Sequence, residues 1–449
     1  MELEFLDVTT PSDVAVSAAR TCYFPNGLVT PEKSTDWARK KPLLASIFKA
    51  GHHTTLQHTH ITMMISGMSR HLIWRLLHSH SYYNSEQISQ RYAKMKIENF
   101  FYPPKADKAV WEEFYAQSFN DYEAMIDILN DDISAALPKF KKGQEAKVAQ
   151  EMSRYLLPVG MSAYLYHTVN IITLLRYIAV APSMPEAKEE AMEFARLIEK
   201  RLLEIDDSLQ PLIEHAKNSH SQFPEFDVDA LKSRINADDN VKVYDVTGDA
   251  SFDDSHNYAD VLRSSQMMFD SGILGGFSTY IEMSFSADAQ NQRHRRSPGV
   301  RPALEKNFKE RYYTPPLIAN NPEAKALYDK AHQRMYAFFK EQSEILGFGE
   351  AIYALLNSQK IDLIERNDFT SFHHKAQMRL CYNAQQEIFD IVYKQVSQLH
   401  EMNIVGSEKF LPPCTIRQAQ GVHPICPEGD KYCGVKVWKL DFQDYKRLI

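Results

Sequence analysis

Phe101-Tyr102-Pro103-Pro104 opens a long run of apolar residues at helical spacing, and the same pattern returns as Tyr312-Tyr313-Thr314-Pro315-Pro316. After the first diproline the stripe is Val110, Trp111, Phe114, Tyr115, Tyr122, Met125, Ile126 and Leu129. After the second it is Tyr328, Ala331, Met335, Tyr336, Phe339, Ile345 and Leu346. Both predict amphipathic helices. Working outward, a basic segment precedes each diproline, and Phe5-Leu6-Asp7-Val8-Thr9 returns as Val243-Tyr244-Asp245-Val246-Thr247. Repeated order of this kind is the mark of an internal duplication. The copies span residues 1–217 and 241–410, a polar linker covers 218–240, and a Cys- and Pro-containing tail covers 411–449.

Within the first copy, strands are expected at 2–8 and 60–65, the second alternating and β-branched. Helices are expected at 13–21, 35–50, 68–78, 106–130, 145–157, 169–179 and 185–206. Few strands among many helices make an α+β fold, with a small mixed sheet in each copy. At 449 residues the chain has room for two such units, and 23 Tyr and 24 Phe can fill their cores. A net charge of −7 argues against bulk nucleic-acid binding, though local basic clusters suit a small anion. The start reads as strand and helix, not as a signal peptide, and no uncharged apolar run is long enough for a membrane span. Five cysteines in so long a chain fit a reducing compartment and a cytoplasmic protein. No Gly-Lys-Ser/Thr loop and no Gly-x-Gly-x-x-Gly follows a strand, so kinase and Rossmann readings lack support.

The basic segments are the most specific. The first carries Gly51-His52-His53-Thr54, then His78-Ser79-His80, Asn84, Glu86 and Ser89-Gln90-Arg91-Tyr92. Further on come Arg154-Tyr155-Leu156-Leu157-Pro158 and, twelve residues after the proline, Asn170. The second copy carries Gln290-Asn291-Gln292-Arg293-His294-Arg295, and later Arg379 followed by Ala384-Gln385-Gln386-Glu387-Ile388. In order and interval these segments resemble the flavin-dependent thymidylate synthase family, whose signature is an Arg-His-Arg triplet, seven residues, then Ser, a basic residue and Tyr. The first copy departs from it, with His78-Ser79-His80 for the triplet and eight residues before Ser89. The second keeps the triplet and loses the Ser. The family's later Arg falls on or next to Ala181 in the first copy and survives as Arg379 in the second. Each copy therefore keeps what the other has lost.

The resemblance implies an FAD-dependent methyltransferase that turns dUMP into dTMP, with methylenetetrahydrofolate and NADPH as co-substrates. It places Glu86, Ser89, Gln90, Arg91, Arg154, Gln290 and Arg379 at the nucleotide, with Arg379 and Ser89 as the catalytic pair. It places His52, Thr54, His78, His80, Asn170, Arg293, His294, Arg295 and His374 at the flavin. Guanidinium forks suit a phosphate, and a guanidinium at the pyrimidine carbonyls would stabilise charge that builds on the ring. The family shares sites between subunits of a tetramer, so the fused chain is expected to form a homodimer that acts as a pseudo-tetramer. Two other readings stand beside this one: methylation of a different pyrimidine nucleotide, and an inactive paralogue that binds nucleotide or flavin.

Plainer roles compete for several residues. His78-Ser79-His80 could cap a helix end, and Asn170 could be a buried hydrogen-bonding residue. In the tail, Cys414, His423, Cys426 and Cys433 have the chemistry, but not the regular spacing, of a zinc site. Leu411-Pro412-Pro413-Cys414 mimics the nucleophile segment of the folate-only thymidylate synthases, but Thr415 stands where that family has His.

Overall fold

The computed structural model describes residues 1–6, 10–136, 145–219, 222–250 and 275–447. The duplication is visible at once. Two four-stranded sheets have the orders β1-β2-β4-β3 and β5-β6-β8-β7. The first is built from β1 Glu2–Leu6, β2 His60–Ser69, β3 Asn84–Gln87 and β4 Ser162–Asn170. The second uses β5 Val241–Thr247, β6 Gly276–Ser284, β7 Gly299–Val300 and β8 Lys360–Asp368. All pairings are antiparallel rather than mixed.

Several local expectations need correction. The helix expected from 169 begins at Ile171, because Val169 and Asn170 end β4. That strand alternates buried Ala163, Leu165, His167 and Val169 with exposed Tyr164 and Tyr166, and the tyrosines mask the alternation in sequence. The expected helix 68–78 starts only at Arg70, where β2 ends and Ser69 caps the turn by accepting from Leu72 N at 3.0 Å. The helix 35–50 is two pieces, Glu32–Thr35 and Lys40–Lys49. Residues 7–9 of the first expected strand lie outside the described residues. Val110 and Ile345, counted in the apolar stripes, are exposed.

The long helices Lys108–Ala136 and Pro322–Leu346 pack on each other across the two copies. Trp111 Nε1 donates to Gln342 Oε1 at 2.9 Å, and Phe114 stacks on Phe338 at 4.1 Å. Behind them the copies interlock. Tyr155 of the first copy donates to Glu387 of the second at 2.8 Å, and Tyr353 of the second donates to Glu190 of the first at 3.1 Å. Each carboxylate also accepts from the backbone and hydroxyl of a helix-capping serine in its own copy, Ser69 for Glu190 and Ser284 for Glu387. Main-chain bonds cross at the same place, Val159 N to Leu355 O at 2.8 Å and Asn357 N to Leu157 O at 2.9 Å. One apolar core accordingly runs from Leu3 to Ile361 through both copies. A second lies in the second copy and includes Val437 and Tyr445 of the tail. Within 218–240 the helix Val228–Ile235 forms, with Val228 and Leu231 buried.

Candidate active site

The interlock places the ends of β2 and β6 beside each other, and with them the helical turns that follow. Ser69 begins one and Ser284 the other, so nine residues on, His78 of the first copy matches Arg293 of the second. Between these turns lies a cleft lined from both copies. Ser89, Gln90, Arg91 and Arg154 come from the first, Gln290 and Arg293 from the second. Residues 204 positions apart, Ser89 and Arg293, thus meet in one cleft. His78 also lines it, buried and stacked on Tyr83 at 4.7 Å. Burial first, then neighbouring His167 and Arg293, keep its ring neutral.

The donors are held from behind. Arg91 Nε donates to Glu151 at 2.6 Å, and its terminal nitrogen donates to Asn383 O at 2.8 Å. Burial alone would raise the Glu151 carboxyl, but Arg91, Arg447 and Arg154 together hold it at about 2. Arg154 donates to Gln385 Oε1 at 2.6 Å, and Gln290 contacts the same oxygen. A neutral amide oxygen does not cancel a guanidinium charge. Among the described residues Arg154 has no ion pair, and its Nε is buried without a partner, as is Gln290 Oε1. Buried groups left in this condition are costly unless a ligand completes them.

Arg379 does not line the cleft. It stands behind Gln290, donating to Gln290 O at 2.7 Å and to His294 Nε2 at 2.8 Å. Burial, then Arg91 and Arg293, lower its pKa to about 10, a sign that cations crowd this face. Glu86 faces elsewhere. Strand alternation turns Gln87 toward the cleft and Glu86 toward Arg293, 3.7 Å away in a second cavity.

This second cavity, about 390 Å³, is lined by Tyr83, Asn84, Glu86, Tyr166, Arg293 and Arg295. Arg295 donates to Tyr83 O and to Asn84 Oδ1, and Arg293 to Ser85 O. Two guanidinium groups over an open tyrosine-lined hollow suit a ligand with anionic and aromatic parts. His80 bonds Tyr177 at 2.7 Å, and exposed His374 lies 6.0 Å from His294. Asn170 caps the helix Ile171–Val180, accepting from Thr173 N at 2.9 Å. His52 and Thr54 are exposed around the turn His53–Gln57 and line neither cavity.

At the matching place on the other side of the interlock the cations are paired. There Arg75 stands where the second copy has Gln290, and its Nε meets Glu186 at 2.6 Å. Glu186 also accepts from Leu304 N at 2.6 Å, and Arg301 is paired with Asp288. A carboxylate of the chain has neutralised this half.

In the tail, Cys414, Cys426 and Cys433 share a small cavity with Cys381, while His423 stands outside it. Among the described residues no three His, Cys, Asp or Glu side chains are placed to hold a metal. Burial raises the Cys414 thiol to about 11. Among the described residues no helix is long and apolar enough to cross a membrane.

Sequence reasoning overlooked Arg70, Asn357 and Gln385. Gln385 lies inside a quoted motif, Arg70 directly after the β2 cap, and Asn357 in a segment with no counterpart motif. Asn357 donates to Arg154 O at 3.0 Å and to Gln90 Oε1 at 3.2 Å.

Duplicated small sheets, interlocked helices and a shared cationic cleft define a class of α+β enzymes that build sites between copies of one unit. Comparison gives the family. The model of the thymidylate synthase complementing protein family matches residues 4–206 and 275–402. The flavin-dependent thymidylate synthase of Clostridium tetani is 27% identical over 183 residues, 39% of this chain and 72% of that protein. That of Thermosipho africanus is 26% identical over 206 residues, 44% of this chain and 86% of that protein. Among solved structures, the Helicobacter pylori thymidylate synthase X with FAD and dUMP is 18% identical, covers 49% of this chain and all of its own, with a TM-score of 0.36. The UMP/dUMP methylase PolB of Streptomyces cacaoi is 16% identical, covering 48% of this chain and 93% of its own, with a TM-score of 0.35. The chain belongs to the thymidylate synthase complementing protein family, the flavin-dependent thymidylate synthases, as two diverged tandem copies. It is an enzyme of the methyltransferase class.

Proposed function

We propose that the chain methylates dUMP reductively to dTMP, with FAD bound, methylenetetrahydrofolate as carbon donor and NADPH as reductant. The observation that carries this reading is the cleft between the copies, where Arg154 is bonded to the neutral Gln385 amide while Arg75 in the matching half is ion-paired with Glu186. A cation held in a buried cleft with a neutral partner is prepared for an anionic ligand. The dUMP phosphate fits Ser89, Gln90, Arg91 and Arg154, and Gln290 can turn its free amide oxygen to the pyrimidine edge. Arg379 holds the Gln290 backbone and adds positive charge behind the ring, where negative charge develops. Arg293 and Arg295, with His78, His80, His294 and His374 around them, would hold FAD, which supplies the hydride and one-carbon chemistry when bound. Asn170 lies at the same end of the first sheet, with His52 and Thr54 as outer contacts.

Only one complete cleft per chain is expected, so a dimer of the chain would act as a pseudo-tetramer with half the sites of a four-chain relative. The enzyme would work in the cytoplasm. The test is a visible absorption spectrum of the purified protein before and after adding dUMP. A flavin spectrum that shifts with dUMP is the expected result. A colourless protein that takes up no added FAD overturns the proposal.

A further inference from the structure

We infer that Arg70 is a phosphate-binding residue of the cleft, acting beside Arg154 on the anionic group of the ligand. This rests on reading the cleft as an anion site. Arg70 lines the cleft, on the first residue after the β2 cap. Its backbone N–H is fixed to Met161 O at 2.9 Å, and its terminal nitrogen donates to Ile88 O at 2.7 Å. Ile88 directly precedes Ser89, so the guanidinium is anchored at the base of the loop that carries Ser89, Gln90 and Arg91.

Three further observations give it a ligand to bind. First, among the described residues Arg70 forms no ion pair, and its Nε is buried without a hydrogen-bond partner. Second, its neighbour is another cation: burial and then Arg154 lower its pKa to about 9. Two guanidinium groups side by side, neither bonded to a carboxylate, are unfavourable in a cleft unless a multiply charged anion lies between them. Third, the matching position of the second copy is Phe285, buried edge-on against Trp74 at 4.8 Å. The same turn therefore folds with an apolar residue there, and the charge of Arg70 is additional to what the fold requires. A phosphate dianion, able to accept bidentate bonds from two forks, matches this pair.

The test is calorimetric titration of the full-length protein with inorganic phosphate, dUMP and deoxyuridine, for the native chain and for Arg70→Met. Removal of the guanidinium is expected to weaken phosphate and dUMP binding about tenfold or more, and deoxyuridine, which has no phosphate, less than twofold. Phosphate and dUMP affinities within twofold of native would overturn the assignment. If the methionine variant fails to fold, Arg70→Lys carries the test. It keeps the charge but loses the fork, so a several-fold loss is expected and native affinity overturns the proposal. The two readings fail separately. Arg70-dependent phosphate binding without any response to dUMP would leave the anion site and remove the thymidylate synthase function. Normal methylation of dUMP by Arg70→Met at native affinity would do the reverse.

Discussion

Arg379 is the residue on which the proposed chemistry depends most, although it reaches the cleft only through Gln290 and His294. Arg379→Ala should lower turnover about tenfold or more, because it removes a positive charge behind the ring and the bonds that hold Gln290 and His294. Flavin content should be retained; a steady-state assay beside an absorption spectrum separates the two. Unchanged turnover would show that its role is only to hold the backbone. Asn170 has a different weight. Its side chain caps a helix, so Asn170→Ala should cost about 1 kcal/mol of stability in a denaturant titration, and Asn170→Ser much less. At this scale the sequence was most legible where motifs are local. Ser89, Gln90, Arg91 and Arg154 could be named from the family resemblance of their motifs, and they line one cleft. Arg70 could not, because a lone arginine after a strand has no local signal, and its meaning comes from a cationic neighbour 84 residues on.

Among the elements, the crossed pairs of tyrosine and glutamate decide how the copies meet. Glu190 is raised to about 7, chiefly by burial. A carboxyl raised on folding favours the folded state below its unfolded pKa, and that contribution is lost as pH rises through about 7. Glu151 has the opposite sign. Held at about 2, it contributes above its ordinary value of 4.5 and is lost as pH falls below that. The melting temperature should therefore fall on both flanks, and Glu190→Gln should flatten the decline between about pH 5 and pH 7. A decline identical in the variant would assign it to other groups. Close approach at the crossing makes a second prediction. A Cβ on Gly160 would lie 2.8 Å from Tyr353 O and 2.9 Å from Tyr353 Cβ. Gly160→Ala should destabilise by about 1–3 kcal/mol, read from a denaturant midpoint. The long helices were legible from their apolar period. Strand β4 was not, because exposed Tyr164 and Tyr166 look apolar in a sequence and are half out in solvent.

At the scale of the molecule, the two halves have divided the work. Among the described residues one cleft keeps Arg70 and Arg154 out of ion pairs, and in the other Arg75 and Arg301 are paired with Glu186 and Asp288. Flavin and dUMP titrations combined with sizing should give one of each per chain, two per dimer. Four flavins per dimer would mean that the ion-paired half still binds. The tail, which lies beyond the family match, ties the halves together. Arg447 reaches Glu151 of the first copy at 2.9 Å, and Lys446 N donates to Tyr382 of the second at 2.8 Å. The sequence by itself determined the duplication, the long helices and the complementary losses, because each is written in short local motifs that can be matched along the chain. Only the tertiary structure decided that the losses fall on opposite sides of one interlock. Charge balance in a cleft depends on which groups meet in space, and Arg154, Gln385 and Glu186 meet or miss one another only once the copies have packed.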